Sequence, residues 1–210
     1  MEVVARRGFD ATVEEIAQVS GVSPRTIFRH YVSHDRLIAA TVKDMFDVIG
    51  RWPIEDLPRP ADDLEGWVDA LPRDIPDLDA WIDDLTLTIH TRIVEVFGVA
   101  FWDIHGPNST ATPALSEVAT LRRQYRRRGV EFLATLAWRK AGGTGDPPAE
   151  LVWAFALNLS AFTTQALMID FDLAPAAVGE LTADTLKLLL HHAVDRQRQE
   201  HEGAGEGTDP

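Results

Sequence analysis

The feature that most constrains this 210-residue chain is the run Thr12 to Leu37, TVEEIAQVSGVSPRTIFRHYVSHDRL, which carries the punctuation of two short helices joined by a tight glycine turn. Thr12-Val13-Glu14-Glu15 has the form of a capping box, in which the Thr hydroxyl and the Glu carboxylate each satisfy an orphan amide of a first helical turn. Ser20-Gly21-Val22 then ends that helix. Ser23-Pro24 supplies a new N-cap, followed by a residue whose preset φ suits the first helical position. A second helix is predicted from Pro24 to about Val32. Its apolar residues Ile27 and Tyr31 lie four apart and turn toward Ile16, Ala17 and Val22, leaving Arg25, Thr26, Arg29 and His30 on the outer face. That face carries donors and no carboxylate.

A helix pair of this kind is a helix-turn-helix when its second helix enters the DNA major groove. Arg25, Thr26, Arg29 and His30 would then donate to base edges or phosphates, with His34 near the path of a backbone phosphate. Spacing alone fits an ordinary αα-hairpin equally well. The run RGFDATVEEIA from Arg7 to Ala17, then GVSPRTIFRHY from Gly21 to Tyr31, then Ser33 and Leu37, resembles the N-terminal domain of TetR-family transcriptional regulators. By position, the resemblance nominates Thr12, Ser23, Arg25, Thr26, Phe28, Arg29, His30 and His34 as DNA contacts. Three departures accompany it. The first helix is reduced to Met1 through Arg6, which leads us to expect a start codon upstream and poor cover over Ile16 and Phe28. The segment between Phe9 and Val13 is one residue shorter than the family commonly has. His34 stands where the family usually has Lys; a ring with a reference pKa near ~6.5 is a weaker phosphate partner at neutral pH, and some pH dependence of DNA affinity is expected from it.

The net charge of −13 argues at first sight against nucleic acid. Its distribution reverses that argument: residues 1 to 51 hold seven basic and seven acidic side chains, so the whole excess of negative charge lies downstream. The asymmetry would aim the N-terminal face at DNA, or it serves solubility alone. Cysteine is absent, which excludes disulfides, thiol catalysis and Cys-based zinc sites. Met1 to Arg7 has no apolar signal core, so a cytoplasmic location is expected.

Downstream, a helix is expected from Ser33 as N-cap to about Arg51, where a domain boundary is placed. Pro53, Pro58 and Pro60 follow, and Trp67, Val68 and Leu71 suggest one short helix within residues 52–76. Apolar residues at threes and fours predict helices from Leu78 to Phe101, from Pro113 to Lys140 and from Val178 to Arg196. No β-type alternation is sustained and no repeat occurs, so the fold class is all-α: a helix-turn-helix domain over residues 1–51, a helical effector-binding and dimerisation domain over 52–198, and a disordered tail over 199–210. Leu151 to Ile169 has no charged residue, yet Asn158, Ser160, Thr163, Thr164 and Gln165 are too polar for a lipid-exposed span. A helix so apolar all round is expected to be buried on two sides, one being a second subunit. With the helix after Pro175 it would form a four-helix dimer interface, as TetR-like proteins do, and set two recognition helices on the half-sites of a palindromic double-stranded operator. Arg122, Arg123, Arg126, Arg127 and Arg128 form a basic cluster, read either as an anion site or as a solvated, carboxylate-paired face.

The TetR resemblance further implies a small-molecule effector enclosed by the larger domain. Candidates to line its site are Trp81, His90, Phe97, Phe101, Trp102, His105, Tyr125, Trp138, Asn158, Phe162 and Gln165, with His90, Asn158 and Gln165 as polar anchors; ordinary core packing would account for each equally. No cofactor or metal is implied. The function expected is a homodimeric repressor released from its operator by a small hydrophobic ligand, the alternative being a ligand-independent DNA-binding dimer. An enzyme is a poor third: Asp83-Asp84 with His90, or Asp103 with His105, match no acid-base or metal motif, and no phosphate loop or nucleophile elbow is present.

Overall fold

The computed structural model describes residues 1–51, 77–106 and 110–206, and among these residues there is no strand. The helices are α1 (Glu2–Arg7), α2 (Val13–Ser20), α3 (Pro24–His30), α4 (His34–Arg51), α5 (Leu78–Phe97), α6 (Ala100–His105), α7 (Pro113–Lys140), α8 (Ala149–Asn158), α9 (Ala161–Asp170) and α10 (Pro175–Glu206), with a 3-10 turn over Gly8–Asp10. The fold is all-α, with a helix-turn-helix at the N-terminus and a helical C-terminal region. The short helix expected around Trp67, Val68 and Leu71 lies outside the described residues.

Two compact units are present, and neither is continuous in sequence. The first comprises Met1–Trp52 with Arg92–Arg126. A boundary near Arg51 is the expectation from sequence; packing instead adds the later segment, because α1 needs cover for its buried Val3 and Val4 and accepts a hydrogen bond from the α5–α6 junction. Val13, Ala17, Ile27 and Leu37 form the small core beneath α2, α3 and α4, with Ile16 and Tyr31 packed on it. Val22, expected in that core, is exposed: it follows the αL residue Gly21, which carries the chain away before Ser23 starts α3.

The second unit comprises Pro53–Thr91 with Arg127–Pro210. Its core runs from Ile82 and Leu85 of α5, through Phe132, Leu136 and Trp138 of α7 and Leu151 and Phe155 of α8, to Leu186 and Leu190 of α10. The uncharged stretch Leu151 to Ile169 is not one helix. It bends by 52° between α8 and α9, and among the described residues no single helix is long and apolar enough to cross a membrane. The break has a polar cause: Ser160 Oγ caps α9 by accepting from the Phe162 amide at 3.1 Å, and Thr163 Oγ1 donates to the Leu157 carbonyl at 2.6 Å. Both bonds compete with the continuous helical ladder. The C-terminal tail also differs from expectation, since α10 continues to Glu206 through residues read as disordered. Gln199, Glu200, His201 and Glu202 include good helix formers, and they extend a helix already nucleated on the core.

Candidate functional site

The helix-turn-helix is built by local chemistry. Thr12 Oγ1 accepts from the Glu15 amide at 3.2 Å while Glu15 Oε2 accepts from the Thr12 amide at 2.9 Å, so both halves of the capping box are present. The Thr12 amide and then its hydroxyl hold the Glu15 carboxyl below the usual carboxylate range, with Arg7 and Arg6 adding smaller contributions. Gly21 ends α2 at φ 69° with its amide on the Ala17 carbonyl. Ser23 Oγ then accepts from the Thr26 amide at 3.2 Å, and Pro24 opens α3. Only Ile27 of α3 is buried; Thr26 is half-buried, with its hydroxyl 2.9 Å from Ser23 Oγ, while Arg25, Arg29 and His30 are exposed. Phe28 is also half uncovered, at 50% exposure, an apolar ring on the donor face. The exposed surface of α3 therefore presents two guanidinium groups one helical turn apart, an imidazole and a ring.

Two fasteners hold this unit in place, and sequence reasoning missed both. His34 is half-buried, and its Nε2–H donates to the Ala11 carbonyl at 2.7 Å, tying the start of α4 to the approach of α2, while Nδ1 lies 3.7 Å from Asp35. His34, expected beside a backbone phosphate, makes this internal bond with Nε2, and its side chain stays partly exposed. At the other end, the Phe9 amide donates to Asp103 Oδ2 at 2.8 Å and the Val99 amide donates to the Ala5 carbonyl at 2.7 Å. Gly8 and Gly98 make this latch possible: both have positive φ, and a Cβ on Gly98 would lie 2.5 Å from the Ala5 oxygen. Gly98 also ends α5 four residues before the expected Phe101, because the Val99 amide has gone to Ala5.

The nominated effector residues divide between the units. Phe97 and Phe101 are buried in the first unit, where the Phe97 ring lies 4.8 Å from that of Phe46 and 6.5 Å from that of Phe101; Trp102 is largely exposed beside them. The side chains of His105 and Tyr125 lie outside the described residues. In the second unit Trp138 is a core residue whose Nε1 donates to the Thr144 carbonyl at 3.4 Å, Trp81 packs half-buried on the core, and Phe162 is exposed. Asn158 is buried, with Nδ2 donating to the Ala154 carbonyl at 2.9 Å. His90 is fully buried, with 0% exposure, and Nδ1 lies 2.7 Å from Thr164 Oγ1. Desolvation pushes its pKa down to about 4, opposed in part by the Asn158 backbone carbonyl, so the ring is neutral at pH 7. Gln165 Nε2 is buried and has no hydrogen-bond partner among the described residues. Thr164, four residues after Ser160 in an uncharged run, gave no signal of its role in sequence.

The arginine cluster is neither wholly solvated nor a uniform basic face. Arg127 pairs with Glu131 at 2.8 Å and Arg123 donates to Thr120 Oγ1 at 3.0 Å, as a surface row would. Arg122 lies over the Phe46 ring at 5.8 Å, and burial, then Arg126 and Arg123, pull its pKa down to about 10. Among the described residues no three His, Asp or Glu side chains are grouped as a metal ion would require.

The model of the family described as "Bacterial regulatory proteins, tetR family" matches residues 1–41, which cover α1, α2, α3 and the first part of α4. No curated protein and no solved structure matches the chain. The matched segment coincides with the capped, glycine-turned helix pair whose second helix exposes Arg25, Arg29 and His30, so residues 1–41 are similar in sequence to the N-terminal segment of tetR-type bacterial regulatory proteins and have the form of a helix-turn-helix.

Proposed function

We propose that the protein is a homodimeric repressor that holds a palindromic operator through two copies of α3 and leaves it when a small hydrophobic molecule binds the second unit. The observation that carries this reading is the outer face of α3. Arg25 and Arg29 are exposed on a helix fixed at its start by Ser23 and Pro24 and seated on the core by Ile27, the arrangement of a recognition helix with its donors directed outward. In this reading Arg25, Thr26, Phe28, Arg29 and His30 meet base edges and sugar-phosphate. Thr12 and Ser23 place the two helix starts against phosphates, and His34 acts through its bond to Ala11 rather than on DNA. The dimer is supported by apolar side chains left uncovered on the last three helices, Trp153 and Leu157 of α8, Ile169 of α9, Leu181 and Leu188 of α10, with Leu188 at 71% exposure. Large apolar side chains left uncovered in this number support a protein partner, and a second copy would supply the two-fold that operator binding uses.

Selection of full-length protein against a pool of random duplexes tests the proposal. The expected outcome is a two-fold symmetric consensus bound far more tightly than the unselected pool, by a factor on the order of a thousand or more. Recovery of sequences with no common motif would refute sequence-specific binding.

A further inference from the structure

Ile27 is the buried side chain of α3, and at about 100° of turn per residue it fixes where the others lie around the axis. Arg25 and Arg29 form a row on the opposite side, with Thr26 to one flank and Phe28 to the other. Thr26 is half-buried and its hydroxyl lies 2.9 Å from Ser23 Oγ, whereas the Phe28 ring is 50% exposed. A lone exposed apolar residue needs no explanation by itself. The surroundings of this one give it meaning: from Ser23 to Ser33 the sequence holds Arg25, Arg29 and His30 but no Asp or Glu, in a chain of net charge −13. Charge complementarity directs that face to a polyanion, and the ring then has to meet something apolar on it.

Duplex DNA offers little that fits. The base edges in the major groove are rows of nitrogen and oxygen donors and acceptors, and the apolar group among them is the C5 methyl of thymine. A guanidinium can donate twice to guanine, but a phenyl ring has no donor or acceptor. Set over adenine N6, guanine O6 or cytosine N4, it would desolvate a polar atom and return no hydrogen bond. The spacing on α3 also limits where the methyl lies. Phe28 is three residues beyond Arg25, a rise of about 4.5 Å along the helix, against about 3.4 Å for one base step. The two side chains therefore face bases one or two steps apart.

We infer that Phe28 is a specificity-determining residue that reads the 5-methyl group of a thymine in each half-site, one or two base steps from a guanine read by Arg25 or Arg29. This rests on the reading of α3 as the recognition helix and names the base that the apolar flank of that helix selects.

The test uses full-length protein and the operator returned by duplex selection, with each thymine in turn replaced by deoxyuridine in both half-sites. That replacement removes the methyl and leaves every hydrogen-bonding atom of the base edge in place. With the wild-type protein, one thymine position should show binding weakened by about fourfold per half-site, the effect of returning one methyl group to water. Phe28→Ala should bind the thymine and deoxyuridine duplexes equally at that position, while Arg25→Ala keeps the difference. Phe28→Gln, which retains good helix propensity, is the second variant and should equalise the two duplexes as well. The inference is overturned if no thymine is sensitive to loss of its methyl, or if the sensitive one stays equally sensitive in the Phe28 variants; in either case α3 remains a recognition helix. If selection returns no operator, the reading of α3 fails and the base assignment fails with it.

Discussion

Replacing Gly98 with Ala is a sharp test of how the helix-turn-helix is fastened, because three glycines of positive φ form a graded series. Gly21, at φ +69°, has nothing within 4 Å of where a Cβ would sit, so Gly21→Ala incurs backbone strain alone, about 1–2 kcal/mol for an L-residue in the left-handed region. Gly98, at φ +47°, carries the same strain and would also set its Cβ 2.5 Å from the Ala5 carbonyl oxygen, a backbone atom that cannot swing aside. Relief of that clash separates Val99 from Ala5 and forfeits their 2.7 Å hydrogen bond, worth roughly 1 kcal/mol. Gly98→Ala is therefore expected to cost about 2–4 kcal/mol. At roughly 2–4 °C per kcal/mol for a chain of this size, it should melt several degrees below Gly21→Ala. Gly8→Ala should fall between them, since its clash is with the Asp103 carboxylate, which can rotate away at the expense of the Phe9 amide bond. Thermal denaturation followed by circular dichroism reads all three. The latch reasoning is refuted if Gly98→Ala melts at or above Gly21→Ala.

Further consequences follow from individual contacts. Thr12→Ala and Ser23→Ala each remove an N-cap, and each should lower stability by about 1 kcal/mol in urea titration, with Thr12→Ala also releasing Glu15 toward an ordinary carboxylate pKa. His90 titrates near 4 in the folded protein against 6.5 when exposed, so the unfolded chain binds more protons between those values and stability must fall as pH drops through that window. The loss from pH 7 to pH 5 should be about 2 kcal/mol, and His90→Leu should flatten that part of the profile. Leu188→Glu, on the exposed apolar row of α10, should shift the protein to monomer in analytical ultracentrifugation and weaken operator binding with every residue of α3 intact.

What the sequence made legible is what short-range chemistry decides. Thr12, Glu15, Gly21, Ser23 and Pro24 act within three or four residues of themselves, and their roles could be assigned from spacing. The same holds for the extents of α4 and α7, set by caps and a sustained apolar period. What escaped depends on partners far along the chain. Asp103 and Phe9 are 94 residues apart, and nothing near either one announces their bond. His34 looks like a phosphate contact from its place in the motif, but the Ala11 carbonyl lies within reach of its ring. The break at Leu159–Ser160 was hidden by composition, for a run without charge, glycine or proline reads as one helix, and only Ser160 as a mid-run N-cap hinted otherwise. Of the proposed effector residues, His90 and Gln165 keep the property that drew notice, a polar group in an apolar run, whereas Trp138 proves to be a core side chain with its indole nitrogen satisfied.

The central claim, that α3 recognises the operator, is tested most directly by titrating Arg25→Ala and Arg29→Ala against a selected operator and a scrambled duplex over a range of salt. A guanidinium on a base edge should cost roughly 1–3 kcal/mol on the operator and little on the scrambled duplex, whereas one on a phosphate should weaken both alike and reduce the salt slope by about 1. Each variant should show one of these two signatures. Wild-type affinity and wild-type salt dependence in both variants would contradict that claim.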